Sequence, residues 1–192
     1  MGIAVFAYGS LVSRPSAELT LGRPVPAVGP AALRGYARGF TLIRDNRKCE
    51  KTFARRGDDW VPDHVLALNL DLGRPEREVN GALIVVTAAE LVQLDQREQR
   101  YRRIEVTGQL GDAEAGFDCV YAFVAREEHH APAPPASAVV LSSYEQAVEE
   151  AFAGLGSIEL DRYRKTTERG PAERIDAYLL TGEIPAGNPR AW

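Results

Sequence analysis

Thr87-Ala88-Ala89-Glu90-Leu91-Val92-Gln93-Leu94-Asp95-Gln96-Arg97-Glu98-Gln99-Arg100-Tyr101 is the stretch on which the reading of this chain turns. Its first four residues match a capping box, in which the threonine oxygen accepts from an early backbone amide and the glutamate returns to the amide of the cap. A helix therefore starts at Thr87. Leu91 and Leu94 mark its core side, and the i, i+3, i+4, i+7 pattern brings Glu98 and Tyr101 onto that same side. A carboxylate thus takes a core position. Burying an ionised carboxylate without partners costs on the order of several kcal/mol, so Glu98 must be paired, protonated or lining a cavity. The neighbouring Arg97, Arg100, Arg102 and Arg103 offer the plain structural explanation, a salt bridge. A functional carboxylate is the other, and the helix alone leaves both open.

Outward from this helix, short runs rich in Val, Ile, Leu and aromatics read as strands: Ile3 to Ala7, Phe40 to Ile43, Val65 to Leu70, Ala82 to Val86 and Val120 to Val124. Further helical patterns begin near Ser142 and near Pro171, the last with proline in its first turn and Gly182 beyond its end. The spacing is uneven and shows no repeat. The expected fold is α+β, built around a small curved sheet or barrel. A chain of 192 residues with 45% hydrophobic residues can bury a real core and fits one domain, residues 1–192, better than two. His129 to Ala138 reads as an exposed connection, and residues 181–192 as an irregular tail that Trp192 docks.

The formal net charge of −4 offers no overall attraction to phosphate backbones or anionic membranes, which weighs against nucleic acid or a membrane as partner. Gly2 to Ala7 lacks the basic start and long apolar stretch of a secretory signal. No later apolar run approaches the roughly 20 residues a bilayer needs, so the expected location is the cytoplasm. Cys49 and Cys119 sit in no Cys-x-x-Cys pair and read as reduced thiols, Cys119 as a small hydrophobe within a strand. His129 and His130 read as exposed, idle histidines rather than metal ligands.

Tyr8-Gly9-Ser10-Leu11 follows a near-continuous apolar strand, and its glycine allows a tight turn whose amides can point at an anion or a carbonyl oxygen. It is neither Gly-x-Gly-x-x-Gly nor a Walker loop, and Ser10 lacks the flanking glycines of a nucleophile elbow. Alone it is a strand-ending turn. Paired with Asp95-Gln96-Arg97-Glu98 before Tyr101, it resembles the gamma-glutamylcyclotransferase superfamily, also described as AIG2-like. Leu33-Arg34-Gly35-Tyr36 with Arg38 and Phe40, Val79-Asn80-Gly81 leading into a strand, and Tyr144 opening a helix that ends near Gly154-Leu155-Gly156 extend the resemblance over roughly residues 3–165.

The resemblance implies a small β-barrel flanked by helices, and since no His-Glu-x-x-His, paired metal ligands or Ser-His-Asp order can be assembled, no cofactor or metal is expected. It implies a substrate loop over Tyr8, Gly9, Ser10, Leu11, Val12 and Ser13, with Glu98 as general acid/base and Tyr144 as a substrate-binding tyrosine. The chain departs from the glutathione-degrading branch in two places. No tryptophan follows the Tyr-Gly-Ser-Leu loop, and Gln99-Arg100 replaces a glycine-containing link, which weighs against glutathione as substrate.

In a gamma-glutamyl amide the α-amine and the γ-carbonyl belong to one molecule, so closing a five-membered lactam gains the intramolecular advantage once the chain is held folded. Such an enzyme needs a base for the ammonium, donors for the oxyanion and an acid for the departing amine. One glutamate can serve as both base and acid. The small-molecule partner expected is thus a gamma-glutamyl amine, amino acid or tailored metabolite, cleaved to 5-oxoproline and a free amine. Two other readings stay open: a non-catalytic binding protein that keeps the pocket, and a hydrolase releasing glutamate. The basic run Arg44, Arg47, Lys48, Lys51, Arg55 and Arg56 reads as a solvated loop, with reception of a leaving-group carboxylate or phosphate as its alternative.

Overall fold

A run as apolar as Ile3-Ala4-Val5-Phe6-Ala7 suits a strand covered on both faces. In the computed structural model, which describes residues 2–25, 29–111 and 116–182, it forms β1 (Ile3–Ala7), with four of its five residues buried. β1 is the middle strand of a five-stranded sheet. It pairs antiparallel with β6 (Glu78–Val86) and parallel with β8 (Cys119–Ala125), and β2 (Pro30–Arg34) and β7 (Tyr101–Glu105) take the edges. The second sheet runs in the order β10 (Thr167–Glu168), β3 (Tyr36–Asp45), β5 (His64–Leu72), β9 (Val139–Leu141), β11 (Glu173–Ile175). β4 (Lys51–Arg55) pairs separately with β12 (Ala177–Gly182). Four helices flank the sheets: α1 (Arg14–Leu21), α2 (Ala88–Arg97), α3 (Ser142–Leu155) and α4 (Ser157–Thr166).

Both five-stranded sheets contribute to one hydrophobic core that includes Phe6, Leu33, Leu68, Ile84, Val120 and Val140. The result is the expected mixed α and β fold, a small barrel with helices around it. Gly81 on β6 is required by the closeness of that packing, because a Cβ there would lie 2.2 Å from the Ala7 carbonyl oxygen and 2.6 Å from Phe6 Cζ.

One buried cation joins the sheets to the helices. Arg38 on β3 is fully buried, its guanidinium 4.9 and 4.4 Å from the ring centroids of Phe152 and Tyr163, which stack on each other beside it at 4.5 Å. It donates to the Asn80 carbonyl at 2.6 Å, to Asn80 Oδ1 at 2.9 Å and, more weakly, to the Tyr8 carbonyl at 3.4 Å. The Asn80 amide passes the link on to Glu159 Oε2 at 2.8 Å. The residue that begins the Tyr8 loop is therefore tied to β3, β6 and α4 together.

The helix from Thr87 starts as expected, with both capping-box bonds present at 3.2 and 2.7 Å. It ends earlier than the apolar pattern predicts. The last helical residue is Arg97; Glu98 caps the helix through its amide to the Leu94 carbonyl at 2.8 Å, and Tyr101 opens β7. Pairing of Tyr101 to Glu105 with β8 satisfies the backbone that another helical turn would have used. Glu98 is thus a terminal residue rather than a step on the helix face.

The helix expected near Pro171 is replaced by β11 and β12. Glu173 to Ile175 add to β9 and Ala177 to Gly182 to β4, so sheet edges already in place capture a segment too short to be a stable helix alone. The remainder of the expected tail, residues 183–192 with Trp192, lies outside the described residues. Two helices escape the sequence reading: α1, capped by Ser13 with Pro15 in its first turn and Gly22 in the left-handed conformation at its end, and α4.

Candidate active site

The site is assembled where β1 runs out. Beyond Ala7 the chain makes a single 3-10 turn over Ser10 to Val12, closed by Val12 N–H to the Gly9 carbonyl at 2.9 Å. The amides of Ser10 and Leu11 open that turn and so have no acceptor within it. Ser13 then accepts from the Ser16 amide at 3.4 Å and starts α1.

A cleft of two lobes faces this turn. The inner lobe, about 40 Å³, is bounded by Tyr8, Gly9, Leu11 and Phe123; the outer, about 150 Å³, by Leu42, Arg44, Glu50, Lys51 and Arg100. Ser10, Glu98, Tyr101 and Tyr144 line both. Glu98 therefore sits at their junction, its side chain 13% exposed. Its Oε1 accepts from Arg97 Nε at 2.7 Å. Arg97, 6% exposed, also donates to the Ser16 carbonyl and Ser16 Oγ, each at 3.0 Å, and to Thr20 Oγ1. The ion pair is thus anchored on α1, and the salt bridge and the cavity-lining carboxylate, posed as alternatives by the sequence, are both present in one residue.

The opposite wall depends on an irregularity in the second sheet. The β3–β5 register shifts between Gly39 and Leu42, and among the described residues Leu68 has no register partner on β3 or β9. Its two backbone groups are taken by tyrosines instead. Leu68 N–H donates to the Tyr144 hydroxyl at 3.2 Å, and the Tyr101 hydroxyl donates to the Leu68 carbonyl at 2.7 Å. These bonds hold both rings at the lobe junction, where Phe40 meets Tyr144 edge-on with centroids 6.4 Å apart. Tyr8 is fixed differently, its hydroxyl donating to the Phe123 carbonyl at 2.5 Å. Burial first, then the proximity of Tyr144 and Glu98, raises the Tyr8 phenol well above its ordinary value, with Arg38 opposing. Tyr8 is a neutral wall of the cleft.

Of the eight residues singled out in the sequence, Tyr8, Gly9, Ser10, Leu11, Glu98 and Tyr144 line the cleft. Val12 is buried in the core, and the Ser13 side chain serves the α1 cap. Arg97 is the one of the four neighbouring arginines that pairs with Glu98, whereas Tyr101 and Leu68 take part without a role expected from the sequence; an aromatic residue three places beyond Glu98 is the available signal for Tyr101. The basic run divides. Arg47 and Arg56 form exposed pairs with Asp63 and Asp176, and Arg55 pairs with Asp58 and Glu173, whereas Arg44 and Lys51 face the outer lobe. The solvated-loop reading therefore fails for those two, because β3 and β4 turn them inward. His130 is not idle either: its Nε2 meets Asp71 Oδ1 at 2.6 Å, outside this cleft. Among the described residues, no helix is long and apolar enough to cross a membrane.

The family profile described as "Gamma-glutamyl cyclotransferase, AIG2-like" matches residues 5–140 of the sequence. No curated protein matches it. Among solved structures, one named gamma-glutamyl cyclotransferase superposes with a TM-score of 0.60 at 15% identity, covering 97% of this chain and 95% of that one. An uncharacterized human protein gives 0.60 at 16% identity, with 95% and 93% covered. A yeast gamma-glutamyl cyclotransferase specific to glutathione gives 0.53 at 14% identity, with 87% and 97% covered. At such identities the likeness is one of fold.

Proposed function

Since the chain belongs to the gamma-glutamyl cyclotransferase, AIG2-like family, we propose that its cleft closes gamma-glutamyl amides on themselves, releasing 5-oxoproline and a free amine. The observation that carries this reading is the position of Glu98, a carboxylate held by Arg97 at the junction of two lobes and facing the Tyr8–Leu11 turn.

With the gamma-glutamyl chain folded at that junction, Glu98 takes a proton from the α-ammonium. The freed nitrogen attacks the γ-carbonyl carbon, forming the ring C–N bond, and the carbonyl oxygen becomes an oxyanion. The amides at Gly9, Ser10 and Leu11 are the donors nearest to hand for that charge, and Tyr8 and Tyr144 clamp the substrate. The amide C–N bond then breaks as Glu98 returns its proton to the departing nitrogen. The ring nitrogen still carries a second surplus proton after its attack, and Glu98, ionised again, takes that one too and passes it to the released amine; two protons in all move from the substrate ammonium to the product ammonium, and the step needs no oxidant, water or nucleophile from the protein. Holding nucleophile and electrophile in one folded molecule supplies much of the rate, because the entropic cost of bringing them together is met on binding.

The test is to supply gamma-glutamyl amino acids, gamma-glutamyl amines and glutathione to the protein and to Glu98→Gln, and to quantify 5-oxoproline and glutamate by mass spectrometry. The expected product is 5-oxoproline, with kcat/KM lowered about 10²- to 10⁴-fold in the variant, the usual contribution of a positioned acid/base group. Glutamate as the product would identify a hydrolase. Binding without turnover in the wild-type protein would identify a binding module.

A further inference from the structure

The outer lobe carries charges that lactam formation does not use. Arg44 on β3, Lys51 on β4 and Arg100 in the α2–β7 turn face it together with Glu50; with the Arg97–Glu98 pair counted, the lining holds four cations against two carboxylates. Arg100 and Glu50 satisfy one another through two bonds of 3.2 and 2.7 Å. That hydrogen bond, opposed by burial, holds the Glu50 carboxyl down to about 2. Arg44 stands apart. Its guanidinium donates to Cys49 Sγ at 2.7 Å and to the Lys51 carbonyl at 2.9 Å, and it lies 5.2 Å over the Phe53 ring. These partners are uncharged groups, and among the described residues Arg44 makes no ion pair. Burial foremost, aided by the Arg100 charge and opposed by Cys49 and the Glu50 charge, lowers its pKa. An anion arriving in the lobe would meet a half-desolvated guanidinium whose planar fork suits carboxylate and phosphate oxygens.

We infer that the outer lobe binds an anionic group, a carboxylate or a phosphate, carried by the departing amine, and that Arg44 determines this specificity. The reaction arm of the inference rests on the cyclotransferase reading; the binding arm does not. Arg44 and Glu98 line the same lobe of about 150 Å³, so a charged group that reaches Arg44 lies within a few bonds of the scissile nitrogen. Small α-amino acids and short aminoalkyl phosphates meet that requirement, and neutral alkylamines do not.

The experiment compares three amides of gamma-glutamate that differ at the critical group: gamma-glutamyl-alanine, gamma-glutamyl-alaninamide and gamma-glutamyl-phosphoethanolamine. The wild-type kcat/KM for 5-oxoproline release is expected to favour the better of the two anionic compounds over the carboxamide by about tenfold or more, as for one charge-assisted hydrogen bond. Which anion leads identifies carboxylate or phosphate as the source. The ratio should fall toward unity in Arg44→Met, persist in Arg47→Gln, whose exposed cation pairs with Asp63 outside the lobe, and shrink as salt is raised. Equal rates on all three compounds in the wild type would overturn the inference and leave the cyclotransferase reading intact; this comparison needs no variant to fold. If none of the three yields 5-oxoproline, it is the reaction reading that fails, and calorimetric titration of the same compounds decides the inference. Tighter binding of an anionic compound, lost in Arg44→Met, upholds it. Equal binding, or none, overturns it.

Discussion

Replacing Arg38 with methionine sets two large effects against each other. Burial pushes the Arg38 pKa from 12.5 down to about 10, and at about 1.4 kcal/mol per unit the charge costs the folded state on the order of 3 kcal/mol. Methionine removes that cost. It also strips the donors from the Asn80 carbonyl and Asn80 Oδ1, buried acceptors now served at 2.6 and 2.9 Å, at about 1–3 kcal/mol each. A desolvated guanidinium against a pair of stacked aromatic rings is worth about 2 kcal/mol or more besides. Thr166 and Thr167 lose less, since their hydroxyls keep their own acceptors at the Arg162 and Tyr163 carbonyls. The balance is a net loss of about 3 kcal/mol, a large part of the stability of an ordinary domain. Arg38→Lys keeps a charge but offers three donors in place of five and no plane to stack, so it should fall between. Urea unfolding followed by far-ultraviolet circular dichroism measures both. A methionine variant as stable as the wild type, or more so, would show that desolvation outweighs the network and that the network does not hold Tyr8, Asn80 and α4 together at a net gain.

Two further perturbations probe packing and charge. Gly81→Ala drives a Cβ against the Ala7 carbonyl and Phe6 ring, and displacement of β6 from β1 should cost about 3 kcal/mol, read as a fall in Tm of about 6–12 °C; an unchanged Tm would refute so close an approach of the strands. The Arg23 hydrogen bond, opposed by burial, holds the Glu90 carboxyl down to about 2 against its ordinary 4.5. Because the folded value lies below the unfolded one, this stabilisation is complete above about pH 4.5 and drains away as the pH falls toward 2. Arg23→Met should therefore lower Tm at pH 7 and converge on the wild type near pH 2. A gap between the two that stays constant with pH would contradict the pairing.

Much of the framework is legible from short-range chemistry. The Thr87 capping box closes within four residues, and the strands around Ile3, Val65 and Val120 announce themselves by apolar and β-branched density. Ser13 followed by Pro15 is an equally local signal for α1. Where local signals mislead, the cause is a distant strand. Pro171 and Gly182 punctuate a plausible helix, but the edges of β9 and β4 turn the segment into β11 and β12. Glu98 falls on the right periodicity, yet pairing of β7 with β8 ends the helix one residue short of it.

The same division runs through the site. The sequence by itself marks the Tyr8 loop and the end of the Thr87 helix as the candidate site, because residue types and spacing are properties of contiguous chain. Only the tertiary structure decides that Glu98 rests on Arg97 rather than on Arg100 or Arg103, which are drawn to Glu50 and Asp95. It alone decides that Leu68 needs two tyrosines, because a register shift on β3 deprives Leu68 of a partner, and no residue near Leu68 in the chain records that shift. It alone turns Arg44 and Lys51 inward while Arg47 and Arg56 stay in solvent, since the facing of a side chain follows from strand pairing between segments far apart in sequence, and the charge of a residue is silent about which way its strand will turn it.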